Sequence, residues 1–445
     1  MKRALWLLAL GACGSHAPAP AEDAAVDDVP DVAGFTADEV RAFLKLSPLP
    51  DPPPDPTNRV YEDPRAARLG QFLFFDPRFS ANGAVSCATC HEAPDSWADG
   101  KRLAEGVGRV DRHTMTLWNV AYQRWFFWDG RADSLWAQAL HPFEDEREHG
   151  TSRLAVLHAV HADADLARAY EALFGALPPL GDRARFPADA RPVADDPDHP
   201  HAVAWASMSA ADQTAVNRAY ANLGKAIAAY ERLLVTRDAP FDQFVAAVGA
   251  DDLYGQLAMA EEAQEGLKLF VGKARCVLCH SGPNFSDREF HDNRVGRLDG
   301  GTRRDAGRYD GVSLVQADPF NGLGAFSDDP APDGGEARDK VGYLLRAGHN
   351  WSEFRTPTLR NVLLTAPYMH RGQMDDLDTV IAHYDTLEDA VPSHHQGERT
   401  LVPLGLTPEE REHLREFLEA LTDARLDPAL LQQPETPWLP EDDPR

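Results

Sequence analysis

Apolar residues along this chain recur at helical rather than strand intervals. Thr36 and Glu39 stand at capping-box spacing, and Val40, Phe43 and Leu44 follow on one face, which predicts a helix opening at Thr36. The signature returns near the other end: Thr407, Pro408 and Glu410 open a predicted helix whose apolar face is Leu414, Phe417, Leu418 and Leu421. A third helix is predicted over about residues 211–234. The stretches between are long and rich in Pro, Gly and Asp, and no sustained alternation marks a strand. The expected class is therefore mainly α with long irregular loops.

The first residues follow a different pattern. Lys2 and Arg3 precede an apolar run, Ala4 to Leu10, too short to span a bilayer, and Leu10-Gly11-Ala12-Cys13 follows. This is similar to a bacterial lipoprotein signal, with residues 1–12 removed and Cys13 carrying the lipid. An ordinary secretory signal with an incidental cysteine is the competing reading, and both take the chain out of the cytoplasm. No later apolar run is long enough to cross a membrane. Residues 13–35 read as a flexible acidic tether, so that the membrane is touched only through the anchor, on the periplasmic side.

Length and charge narrow the function classes. A chain of 445 residues allows two or three domains. Lys and Arg number 44 against 71 Asp and Glu, a net charge of -27, which excludes nucleic acid and anionic lipid as natural partners and favours a neutral or basic protein.

Apart from Cys13 the cysteines fall into Cys87-Ala88-Thr89-Cys90-His91 and Cys276-Val277-Leu278-Cys279-His280. Each is a c-type haem attachment motif, in which two thiols add to the vinyl groups of one haem and the His ligates its iron. A four-cysteine zinc site, a redox dithiol and disulfides compete. Two matches that each include the His, with no cysteine left over, favour haem.

The two motifs sit in an internal duplication. Gly70, Leu73 and Phe74 precede the first as Gly266, Leu269 and Phe270 precede the second. After them, Thr114-Met115-Thr116-Leu117-Trp118-Asn119-Val120 parallels Thr356-Pro357-Thr358-Leu359-Arg360-Asn361-Val362 at an offset of 242, which continues to Gly130 and Gly372 and to Leu135 and Leu377. Two related one-haem domains are expected, residues 36–250 and 251–430, with a tail at 431–445. The halves differ where it matters chemically. Tyr384 offers a phenol oxygen as an axial ligand, while its counterpart Pro142 offers nothing, so the second iron is expected closed and the first open to small molecules. Likewise Trp128 in the first half matches His370 in the second, and an aromatic there is placed to relay charge between haems.

From about Glu62 to Leu421 the chain resembles the di-haem cytochrome c peroxidases, and within them the MauG and MbnH-like branch. The resemblance is carried by Phe127-Trp128-Asp129-Gly130-Arg131-Ala132 and by Thr356-Pro357-Thr358-Leu359-Arg360-Asn361 leading to Thr365-Ala366-Pro367-Tyr368-Met369-His370. It implies that Trp128 lies between the haems and that Gln138 and Glu148 line an open peroxide pocket, with Pro142 also matching. Tyr384 in place of the usual Met, and a loop from Glu92 to Gly108 without His, point to the MauG-like branch. The resemblance also implies a calcium ion between the haems, held partly by the backbone oxygens of Thr365 and Pro367, with His113 where the family has Asn. Ala274 stands where MauG has the tryptophan that passes oxidising equivalents outwards.

The implied activity is a peroxidase or oxidase. Hydrogen peroxide meets the haem of His91, Glu148 and Gln138 handle its proton, and the oxidising equivalents are shared with a Tyr-ligated second haem. They are then delivered to a Trp or Tyr side chain of an exported protein, or replaced by a small electron-donor protein. A non-catalytic electron carrier is the reading from another class, and it requires both irons closed. Against these readings stands ordinary packing: Trp118, Trp125 and Trp136 are expected in the core, and Glu148 belongs to a charged run that would otherwise be a solvated face.

Overall fold

A computed structural model of the chain describes residues 29–296, 305–329, 335–392 and 399–442. The expected signal, Cys13 and most of the tether lie outside the described residues. Among the described residues no helix is long and apolar enough to cross a membrane.

Both capping boxes form. The Glu39 amide donates to Thr36 Oγ1 at 3.3 Å while the Thr36 amide donates to Glu39 Oε2 at 2.7 Å, starting the helix Ala37–Phe43. Thr407 and Glu410 repeat the exchange at 3.1 and 2.7 Å at the head of Pro408–Glu419. Satisfying the amides that a helix start leaves unpaired is what fixes these starting points. The long helix spans Ala210–Glu231, capped by Ser209, and stops short of the predicted 234. The described strand pairing is slight: Phe290–His291 pairs antiparallel with Phe354–Arg355, besides isolated bridges.

Two crossed helix pairs build two cores. Pro64–Phe75 crosses Ala210–Glu231, and Glu261–Val271 crosses Pro408–Glu419. A Cβ on Gly70 would lie 1.8 Å from the Ala226 carbonyl oxygen, and one on Gly266 would lie 1.9 Å from that of His413. Only glycine lets the backbones touch, which outweighs its cost of about 1 kcal/mol inside a helix. The first core gathers Leu69, Leu73, Phe74, Trp97, Trp136 and Tyr220; the second gathers Phe241, Phe244, Phe270, Phe285 and Phe417.

Packing does not divide the chain at residue 250. Val40, Phe43 and Leu46, together with Phe241, Phe244, Val245 and Val248, belong to the second core. Trp438 belongs to the first, and Leu426 and Leu430 pack against it. The tail is tied there by Gln71 Nε2, which donates to the carbonyls of Ala429 at 2.6 Å and Gln432 at 2.8 Å, and by Tyr230, whose hydroxyl donates to that of Leu430 at 2.6 Å. Each end of the chain thus completes the core of the opposite half.

Where the halves meet, equivalent positions bond reciprocally. The His113 amide donates to the His370 carbonyl at 3.0 Å, and the Arg355 amide donates to the Trp128 carbonyl at 2.8 Å. Position 355 is 113 shifted by 242, and 370 is 128 shifted by 242, so the contact has the form of a pseudo-twofold interface. Asn119 and Asn361, at φ 54° and 62°, both reach Thr236 in the connecting segment. Gly130 and Gly372, at φ 67° and 61°, turn the chain against the other half: a Cβ would lie 2.3 Å from Phe290 at the first and 2.6 Å from the Arg102 Cα at the second. These repeated features are compatible with the duplication read from the sequence.

Candidate functional site

The first attachment motif occupies a single turn, Cys87–Cys90, entered from Ser86, whose amide donates to Thr89 Oγ1 at 2.9 Å. His91 follows, with Nδ1 3.1 Å from the Trp97 carbonyl. A proton on Nδ1 satisfies that carbonyl and leaves the Nε2 lone pair for a metal. Burial lowers the pKa of His91, which favours the neutral imidazole that ligation requires. The second motif repeats the device: His280 Nδ1 lies 3.0 Å from the Phe285 carbonyl. Both carbonyls belong to left-handed residues, Trp97 at φ 60° and Phe285 at φ 49°, a strained conformation retained in both halves.

Burial pushes Cys90 and Cys276 up to about 12, so both thiols are protonated in the chain alone. The four described cysteines form no disulfide, and Cys87 packs against the first core while Cys276 packs against the second. That separation excludes a four-cysteine zinc site. One triad of metal-ligating atoms comes together among the described residues, Cys279 with Asp287 and His291, but its cysteine belongs to the attachment motif.

Tyr384, on the helix Leu377–Thr386, does not end in packing. It lines a cavity of about 280 Å³ together with Cys276, Cys279 and His280. Burial raises its phenol well above the ordinary value, and the two thiols add to the effect. A largely apolar cavity with two thiols, an imidazole and a phenol fits a covalently attached haem.

In the first half, Leu135–Gln138 ends on Gln138, and His141–Glu144 begins with His141 and Pro142. The chain then folds back, the His149 amide donating to the Pro142 carbonyl at 3.0 Å. Glu146 and Arg147 face solvent but Glu148 turns inward. Burial raises its carboxyl, against the pull of Arg131 and with the push of Asp145. Its charge acts on both Cys87 and Cys90, so Glu148 stands beside the first motif.

Trp128 joins the halves. Its Nε1 donates to the His113 carbonyl at 2.9 Å, its own carbonyl accepts from Arg355, and its ring lines the Tyr384 cavity. Trp125 is surrounded differently, with Arg308 4.1 Å, Lys340 5.1 Å and Arg124 5.9 Å from its ring. Three cations over one indole oppose its oxidation. Trp136 is fully buried and donates to Thr57 Oγ1 at 2.8 Å, a packing role. Trp118 lines the cavity and meets Trp97 edge-on at 6.3 Å.

Comparison with known proteins decides the family. Residues 64–249 match the model of the di-haem cytochrome c peroxidases, related to MauG. The methylamine utilization protein MauG of Methylorubrum extorquens is 32% identical over 397 residues, covering 89% of this chain and 86% of that protein. The chain belongs to the di-haem cytochrome c peroxidase family. A cytochrome-c peroxidase of Denitromonas iodatirespirans is 31% identical over 407 residues, 89% of this chain and 90% of that protein. The crystal structure of the di-haem peroxidase BthA from Burkholderia thailandensis shares the fold, with a TM-score of 0.60 at 21% identity, covering 83% of this chain and 89% of that one. Membership implies two c-type haems, and the cavity beside Cys276, Cys279 and His280 fits one of them.

The calcium ion implied by resemblance finds a different donor set in this di-haem peroxidase. The His113 ring lies against the Lys101 carbonyl, Nδ1 at 2.7 Å, and the Thr365 carbonyl acts on the same ring. An imidazole stands where a calcium site needs oxygen ligands, so the residues present do not fit the ion.

Three buried groups escaped the sequence reading. Glu231, within an ordinary amphipathic helix, is 4% exposed, is pushed up to about 8 by burial, and acts on Cys87. His149 is pulled down to about 4 by burial and feels His91. Arg355 lines the cavity, and the duplication held its signal, since it is the counterpart of His113.

Proposed function

We propose that this di-haem peroxidase takes hydrogen peroxide at the first haem, held by Cys87, Cys90 and His91, and passes oxidising equivalents through Trp128 to the second. The second haem is held by Cys276, Cys279, His280 and Tyr384. One observation carries the reading: Tyr384 shares a cavity with His280, while its counterpart Pro142 has no ligating atom. The haems supply the redox chemistry, reduction of peroxide to water with two oxidising equivalents kept on the protein.

The chain's own groups handle protons and access. Glu148 would take a proton from the peroxide and return it to the oxygen that leaves as water. Its burial-raised carboxyl brings the acid and base forms closer in energy near neutral pH. The Gln138 amide would orient the same oxygen, and Pro142 would offer the iron no ligating atom. Trp128 carries charge between the halves. Export with lipid attachment at Cys13 puts the reaction on the periplasmic side, where an exported protein offers a Trp or Tyr side chain for oxidation. A second reading, peroxide removal with electrons from a small donor protein, is favoured by Ala274: it is 4% exposed and carries no aromatic ring for an outward route.

Stopped-flow spectra after one equivalent of peroxide test the proposal. The expected result is loss of ferric signal at both haems together, and loss of the shared response in Tyr384→Met. A Tyr384→Met spectrum identical to wild type would remove Tyr384 as ligand. Adding candidate partners to the oxidised protein then separates the readings, a modified side chain supporting the first and simple re-reduction the second.

A further inference from the structure

Arg355 is 6% exposed, and no carboxylate among the described residues pairs with it. Its Nη1 lies 3.5 Å from the Thr356 carbonyl and its Nη2 donates to Met115 Sδ at 3.3 Å, while Nε has no partner. Other deep guanidiniums are treated differently: Arg360 holds Asp242 at 2.7 and 2.9 Å, and Arg153 holds Glu144 at 2.7 and 2.8 Å. Burial alone pulls Arg355 down to about 9, which leaves it charged at neutral pH. A cation enclosed without a counter-charge is strongly destabilising, so an anion belongs beside it.

Two further donors line the same cavity without a partner, Trp118 Nε1 and Thr114 Oγ1. We infer that Arg355, Trp118 and Thr114 form a carboxylate cradle that takes a propionate of the second haem. The inference rests on the reading that Cys276 and Cys279 carry that haem. Its only anionic substituents are two propionates, on the edge opposite the vinyl groups. The vinyl edge is fixed at the thiols, where Leu278 is 52% exposed. The propionate edge would then lie toward the donors of the first half, Thr114 and Trp118, that line the same cavity. Arg355 grips that edge through its side chain while its amide holds the Trp128 carbonyl, so one residue sets the haem against the relay.

The test uses matured protein with both haems, its load checked by intact mass. Spectroelectrochemical titration of the second haem from pH 5 to 9 compares wild type with Arg355→Met and Arg355→Lys. Without the guanidinium the propionate is unpaired: the Arg355→Met midpoint falls and becomes pH-dependent as the carboxylate takes up a proton on reduction, while Arg355→Lys stays closer to wild type. A Met variant with wild-type midpoint and pH profile overturns the cradle. If that variant fails to load, resonance Raman of the wild type decides. A propionate bending band of the second haem that shifts in D2O supports exchangeable donors on the carboxylate, and an unshifted band overturns them. Wild-type protein with no haem at Cys276 and Cys279 would overturn the two-haem reading, and the cradle with it.

Discussion

The two halves hold their proximal histidines alike and treat the opposite sides of their sites differently. His91 and His280 are each tied through Nδ1 to the carbonyl of a left-handed residue. Across from them, Tyr384 lines the second cavity, while the matching Pro142 stands in a turn that folds Glu148 toward the first thiols. A shared scaffold thus holds the imidazole Nδ1 in the same way twice, while a few other positions, Pro142 and Tyr384 among them, differ between the halves. The thiols differ as well: Cys87 is raised by burial and then by Glu231, whereas Cys276 is raised by burial and then by its partner Cys279.

The largest expected effect breaks the first half alone. Glu148→Gln should slow reaction with peroxide by about 10²–10⁴-fold while both haems stay bound. In wild type the base form grows as pH rises through the raised carboxyl pKa, so the rate rises with pH there and the variant is flat. Rapid mixing at several pH values checks both, and an unchanged rate would remove Glu148 from the chemistry.

Next comes the carboxyl that only the first half carries. Glu231 is raised from 4.5 to about 8, so the folded chain binds its proton more tightly than the unfolded chain. Stability is then present below about pH 4.5 and is lost as pH rises toward 8, by up to about 5 kcal/mol. Glu231→Gln should flatten that slope, read by denaturant titration at pH 5 and pH 8. Parallel slopes in variant and wild type would mean that Glu231 is not buried uncharged.

Coupling between the halves should respond to Trp128→Phe, which keeps packing but raises the cost of oxidation. Oxidation of the second haem should slow by about tenfold or more with peroxide access intact. Trp125→Phe, under its three cations, should change the rate by less than about twofold. The reverse order would put the relay at Trp125.

The smallest expected effect concerns His113, the counterpart of Arg355. Metal analysis of wild type should find no calcium, and chelator should leave the spectra unchanged. His113→Asn restores an oxygen ligand and should raise calcium affinity. One tightly held calcium per wild-type chain would refute the fit drawn from the His113 ring.

Much of the site was legible because its signals are local. The attachment motifs, the capping boxes at Thr36 and Thr407 and the offset pairing Pro142 with Tyr384 depend on residues at fixed short spacing or on exact repetition. Glu148 was marked only by resemblance, since its charged neighbours suggested a solvated face. Arg355 and Glu231 were overlooked because nothing adjacent in sequence reveals that a charge is enclosed.

By itself the sequence determined the helix starts, the two haem attachment turns and the asymmetry at positions 142 and 384. Each follows from covalent spacing or from the side-chain chemistry of one residue. Only the tertiary structure decided that residues 32–46 complete the second core and Trp438 the first, and that Trp125 lies under three cations while Trp128 lines the cavity. It also decided that Arg355 is buried with no paired carboxylate among the described residues. Desolvation and charge pairing are sums over every neighbour in space, and those neighbours come from both ends of the chain.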